Sequence, residues 1–219
     1  MERELAKVIE EEASLLTHED PRKRLAAVRK LSELAKQLDL KEREPIVELL
    51  EPLASDKEAF VRWNLAIALG EVGHEKGIPV LEKLANDEHA NVRVRVALAV
   101  GLIGSEGVIP LLEKLAQDTY QIGSHFVVRA FAALALGKSG HEAGVPVLAK
   151  LVEDEDPVVR WHAAVALGDA GTKSGVQHLA KLIEDEIPFV RAHTAIALAQ
   201  IAHETGLPYL ELLAKDSMP

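Results

Sequence analysis

The stretches VRWNLAIALG, VRVRVALAVG, VRAFAALALG, VRWHAAVALG and VRAHTAIALA align without gaps, and a recurring pattern of this kind dictates a repeat architecture. Their arginines, Arg62, Arg93, Arg129, Arg160 and Arg191, stand 31, 36, 31 and 31 residues apart. Gly70, Gly101, Gly137 and Gly168 keep the same steps, with Ala199 in the fifth place. Each copy follows a second helical stretch, such as IPVLEKLAND or VPVLAKLVED. Pro79, Pro110 and Pro146 suit the first turn of that helix, where a missing N–H costs nothing. Asp156 and Pro157 read as the N-cap and first residue of the following helix. Gly73, Gly104, Gly140 and Gly171 close it. The unit is helix A, a short turn, helix B and a glycine turn.

A pair of this size cannot bury its apolar faces alone, so neighbouring pairs must stack. The expected fold is all-α: an α-solenoid, a right-handed superhelix of helix pairs. One domain over 1–219 is expected, with about five full repeats between 42 and 203. A degenerate unit occupies 1–40, with Arg24 in the arginine place, and a half repeat occupies 204–219. Positions −1, +3 and +7 from each arginine share a face and hold the core stripe, as in Val61, Leu65 and Leu69. Ala66, Ala97, Ala133, Ala164 and Ala195 fall in register, as close helix approach requires. The spacing Asp-x5-Arg recurs at Asp56/Arg62, Asp87/Arg93, Asp154/Arg160 and Asp185/Arg191. A copy in nearly every repeat reads as a structural ladder of hydrogen bonds rather than a catalytic pair.

Composition enters through what it excludes. A formal charge of −10 repels phosphate backbones, so no nucleic-acid partner is expected. With no cysteine there are no disulfides, thiolate metal sites or cysteine nucleophiles. No apolar run approaches the ~20 residues of a membrane span, and MERELAKVIEEE lacks the apolar stretch of a signal peptide. The expected setting is cytoplasmic, without membrane insertion.

The consensus D-x-x-x-x-V-R-x-x-A-x-x-A-L-G resembles HEAT-like repeats of the kind named after phycobilisome lyases, over roughly residues 15–216. The resemblance implies the solenoid fold and a range of roles: bilin lyase subunits, proteins acting on phycobilisomes, scaffolds, and a metal-dependent hydroxylase of the deoxyhypusine type. That hydroxylase holds two irons with His-Glu pairs directly after the helix B arginine. Here those places hold Trp63-Asn64, Val94-Arg95, Ala130-Phe131, Trp161-His162 and Ala192-His193. His-Glu occurs instead at 18–19, 74–75, 141–142 and 203–204, the last three in the turn before helix A, where an acidic residue favours the helix N-terminus.

Positions −2, +1, +2, +5 and +9 fall on the side of helix B opposite the core stripe, which lines the concave surface in stacked HEAT-like arrays. All four phenylalanines and both tryptophans fall at −3, −2, +1 or +2: Phe60, Trp63, Phe126, Phe131, Trp161 and Phe189. Position +5 is aliphatic throughout, as Ile67, Leu98, Leu134, Val165 and Ile196. Contiguous apolar surface with aromatic anchors marks an interaction site; the alternative is packing between repeats. Asn64, Arg95, Lys138, His162 and His193 are polar members of the same face. His162 and His193 are equivalent positions on adjacent helices about 10 Å apart, so no metal site is expected there. No catalytic motif is recognisable, and no resident cofactor is expected.

The single 36-residue step comes from a turn lengthened within 117–128, which brings Tyr120, Gly123, His125 and Phe126 to one edge. Insertions in repeat proteins often carry binding. The expected function is a scaffold that binds a protein partner through an apolar, aromatic-lined concave groove. The alternative, carried by the resemblance, is a bilin lyase-like or chromophore-detaching protein acting on a phycobiliprotein. In it a transient bilin would stack on Trp63, Phe131 or Trp161, with Arg95 or Lys138 on its propionates.

Overall fold

A computed structural model describes residues 2–123 and 125–201. The half repeat at 204–219 and the His203-Glu204 dipeptide lie outside the described residues. Backbone proximity divides the chain between Gly107 and Val108 into two compact units.

In the first unit, α1 (Glu2–Leu15) packs on α2 (Pro21–Ala35), the helix B of the degenerate repeat. Two complete A/B pairs follow: α3 (Glu44–Leu50) with α4 (Ala59–Val72), and α5 (Ile78–Leu84) with α6 (Ala90–Ile103). In the second unit, α7 (Ile109–Leu115) leads through a short hairpin, β1 (Gln121–Ile122) and β2 (His125–Phe126), into α8 (Val127–Ser139). Then come α9 (Val145–Leu151) with α10 (Pro157–Ala170), and α11 (Val176–Leu179) with α12 (Pro188–Ile201). The architecture is an α-solenoid of A/B helix pairs. The B helices carry the stack, α2 on α4 on α6 in one unit and α8 on α10 on α12 in the other.

Local sequence sets the helix ends as expected. Pro79, Pro110 and Pro146 stand at the starts of α5, α7 and α9, and the Asp156 carboxylate accepts from the Val158 N–H at 2.9 Å to cap α10. Gly73 ends α4 at φ 69°, a left-handed conformation that costs a side-chain-bearing residue. The His74 ring accepts from the Lys76 N–H at 3.2 Å, so that His-Glu pair serves the turn before α5.

The core stripe is buried in every repeat, with Val61, Leu65 and Leu69 all at 0% exposure. Ala66, Ala97, Ala133 and Ala164 are buried at the helix contacts, whereas Ala195 is half-buried. The tightest approach lies one turn further on. A Cβ at Gly70 would meet the Ala99 Cα at 2.7 Å, and one at Gly168 the Ala197 Cα at 2.8 Å.

The Asp-x5-Arg ladder has two kinds of rung. Within a repeat, the arginine donates to the aspartate's main-chain carbonyl, Arg62 to Asp56 at 2.7 Å and Arg160 to Asp154 at 2.9 Å. Between repeats, its guanidinium forks onto the next aspartate: Arg24 on Asp56 (2.5 and 2.8 Å), Arg62 on Asp87 (2.5 and 2.9 Å) and Arg160 on Asp185 (2.6 and 3.0 Å). Arg129 reaches Asp154 at 2.9 Å through one nitrogen. Arg24 in this role places the degenerate first repeat in register with the repeat that follows it. Burial pushes the Asp87 carboxyl up, but Arg62, the His89 N–H and the Arg62 charge outweigh it and hold it below the usual range.

Candidate functional site

In the second unit the inserted turn becomes architecture. Gln121 pairs with Phe126 and Ile122 with His125 across the hairpin, and Gly123 turns at φ 63°. The second strand is anchored by Asp156, the N-cap of α10, whose side chain is 0% exposed. Asp156 accepts from the Phe126 N–H at 2.6 Å and contacts the His125 ring at 3.0 Å while capping α10. Burial raises the Asp156 carboxyl, but these hydrogen bonds and the His125 charge bring it below the ordinary value. One buried carboxylate therefore couples the insertion to the start of α10.

The anchored hairpin closes one side of a cleft of about 300 Å³ lined by Ile122, His125, Val127, Ala130, Phe131, Val158 and His162. Insertion residues and helix-face residues thus meet at one place. From His162 the surface continues into an aromatic cluster. Trp161 lies 4.3 Å from the His162 ring, 5.1 Å from His193 and 5.8 Å from Phe189, the last two edge-on. The His162 Nδ1–H donates to the Val158 carbonyl at 2.7 Å, and burial lowers its proton affinity, so the ring is neutral near pH 7 with Nε2 as acceptor. His193 makes the same contact with Phe189, at 2.8 Å. The buried Trp161 Nε1 has no hydrogen-bond partner, so the ring is kept for shape and stacking rather than for its N–H.

Other expected site residues divide by burial. Phe131, Leu134, Trp161, His162, Val165 and His193 are half-buried in the second unit; Lys138, Phe189 and Ile196 are exposed. In the first unit Phe60, Trp63, Ile67, Arg95 and Leu98 are half-buried, and the Arg95 guanidinium sits 5.7 Å from the Trp63 ring. Two of the expected residues are buried. Asn64 is 8% exposed, its amide spent on the Phe60 carbonyl and the Arg29 guanidinium. Phe126 is 7% exposed beneath Arg129, whose guanidinium lies 3.6 Å from the ring, so it packs within the hairpin. Tyr120, Gly123 and His125 are exposed.

Sequence reasoning missed Ile122, Val127 and Val158 as cleft walls and Asp156 as the hairpin anchor. The Gly123-Ser124 dipeptide was the available signal, since Gly-Ser between short strands favours a two-residue hairpin loop. A second cavity, in the first unit, is lined by Arg29, Ser32, Lys36, Asn64, Ile67 and Glu71 among others. Within it Glu71 accepts from Ser32 at 2.6 Å and pairs with Lys36 at 3.2 Å, and Arg29 donates to the Asn64 side-chain oxygen at 3.1 Å.

These features define an α-helical repeat protein with an accessory hairpin. The family model for HEAT repeats matches residues 46–122 and 123–186, well over half of the chain, which therefore belongs to the HEAT-repeat family. The CpcE–CpcF complex of phycocyanin lyase from Nostoc sp. shares the fold, with 17% identity and a TM-score of 0.61 over 94% of this chain and 93% of that one. An engineered protein matches with 25% identity and a TM-score of 0.58 over 89% and 96% of the two chains. A computationally designed armadillo repeat protein for modular peptide recognition matches with 20% identity and a TM-score of 0.53 over 87% and 98%. No curated protein matches significantly. No helix among the described residues is long and apolar enough to cross a membrane.

Proposed function

We propose that the protein is an interaction scaffold and that the second unit docks a partner protein on the face built from the hairpin and the first turns of α8, α10 and α12. One observation carries this reading: the hairpin walls an apolar cleft that continues, through His162, into the Trp161 cluster. An insertion serving only as a spacer has no need of a buried carboxylate to hold it against the helices. Half-buried aromatic side chains beside a partly open cleft have the composition of an interface hot spot. A designed armadillo repeat protein of the same fold is described as made for modular peptide recognition, which supports a docking role.

The test is a pull-down with the full chain, followed by calorimetry with the captured partner. Trp161→Ala is expected to weaken binding by about 2 kcal/mol and to cost stability about 1–2 kcal/mol, below a fully buried tryptophan. Glu82→Ala, at an exposed helix A position, serves as the control and leaves binding unchanged. Equal affinity in wild type and Trp161→Ala would remove this face from the interaction.

The fold shared with a phycocyanin lyase supports a second reading, transient handling of a bilin. It is separated from the first by titrating phycocyanobilin into the protein with and without a phycobiliprotein subunit. A sharpened red absorption band, lost in Trp161→Ala, is the outcome that favours bilin handling. An unchanged spectrum in both mixtures rejects it.

A further inference from the structure

Resting on the docking role proposed above, we infer that the segment this face accepts is basic: an aliphatic or aromatic anchor for the cleft, with an arginine or lysine beside it for the rim. The cleft walls, Ile122, Val127, Phe131 and Val158, accept any apolar side chain, so they cannot choose among partners. Selection falls to the charges around them.

The turns entering α10 and α12 read Glu153-Asp154-Glu155-Asp156 and Glu184-Asp185-Glu186, with no lysine or arginine. The aspartates are used internally, Asp154 by Arg129, Asp156 by the hairpin and Asp185 by Arg160. Glu155 and Glu186 are different. Their side chains are 73% and 81% exposed, and they approach Arg129 and Arg160 only to 3.9 and 3.7 Å, beyond hydrogen-bond range. Each therefore holds most of its capacity for a cation from outside. They occupy equivalent places in successive repeats, so a segment crossing α10 and α12 meets a carboxylate at each step.

An aromatic surface accompanies the second carboxylate. Phe189 is 41% exposed, follows Glu186 by three residues, and connects through Trp161 to His162 in the cleft wall. A guanidinium between a carboxylate and an aromatic ring gains from both. The protein already fills such a site with its own residue, where Arg129 lies over Phe126 at 3.6 Å and reaches Asp154 at 2.9 Å. A partner arginine at Phe189 and Glu186 would repeat that arrangement. An acidic or phosphate-bearing partner would meet the same carboxylates as repulsion, added to a chain charge of −10.

The experiment pans a random dodecapeptide display library on the full chain, on Ile122→Asp, and on the Glu155→Gln/Glu186→Gln double variant. Both glutamates are exposed, so the double variant keeps the ladder and its helicity. Enriched peptides are expected to carry an apolar residue with lysine or arginine beside it. Their affinity is read from Trp161 fluorescence in a Trp63→Phe background. It should fall roughly tenfold in the double variant, and again as salt rises from about 0.05 to 0.5 M. Enrichment of neutral or acidic peptides, or undiminished affinity in the double variant, overturns the basic partner while leaving the docking face intact. Binding that survives Ile122→Asp unchanged, or a library yielding no binder, overturns the docking reading itself.

Discussion

At Gly137 a methyl group would lie 2.5 Å from the Ala166 Cα and 2.7 Å from its Cβ. Backbone and small side chain cannot yield as a flexible side chain can, so the α8–α10 spacing depends on this position having no side chain. Gly137→Ala gains helix propensity of about 1 kcal/mol but overpacks the contact, for a net loss of about 2 kcal/mol. Gly140→Ala is the informative contrast. Its Cβ would meet nothing within 4 Å, and only the φ of 66° opposes it, at about 1 kcal/mol. Urea melts of the two variants test the ranking, and a Gly137→Ala protein as stable as wild type would remove the close approach as a constraint. The recurrence of this glycine was visible in the sequence. Its reason was not, because the opposing alanine belongs to the next repeat.

The hairpin shows the same division at the level of an element. The broken period revealed five extra residues, but strands of two residues each are too short for alternation to register. Its anchoring yields two contrasting expectations. Asp156→Ala removes the α10 cap and strands the buried Phe126 N–H, costing about 2–3 kcal/mol. Excising residues 119–123 restores the Asp-x5-Arg spacing and keeps His125 and Phe126, so it should cost under about 1 kcal/mol. It also removes Ile122, so binding at the cleft falls while the helical circular dichroism persists. An excision variant that binds as well as the parent would make the hairpin a spacer.

Across the whole molecule buried, hydrogen-bonded carboxylates join stability to pH. Asp56 and Asp87 in the first unit and Asp156 in the second all have folded values below the ordinary carboxylate range. In each, burial opposes the shift, and hydrogen bonds from Arg24, Arg62 or His125 and nearby N–H groups overcome it. The folded protein therefore binds fewer protons at these groups than the unfolded chain. The stability they confer is complete above the unfolded value of about 4 and is lost as pH falls through the folded values. The urea midpoint should decline modestly as pH falls through about 6.5, because the buried His162 ring takes a proton less readily than in the unfolded chain, and drop steeply below about 4. Arg62→Gln should cost about 3 kcal/mol at pH 7, because it leaves Asp87 buried without its cation. It should also shallow the acid limb, and an acid limb identical to wild type would remove this rung from the pH dependence.

The sequence by itself determined the repeat, its helix pairs, their proline and glycine boundaries, the core stripe and the ladder. Each depends on short spacings within a repeat, or on contacts between positions that recur in every repeat, and both are readable from self-similarity. Only the tertiary structure decided which face residues are available, burying Asn64 and Phe126 while leaving Phe189 and Ile196 exposed. It alone brought Ile122, Phe131, Val158 and His162 around one cleft. Those residues come from an irregular insertion and two different repeats. Their meeting is set by how a unique hairpin packs against a regular stack, and no period in the chain encodes that contact.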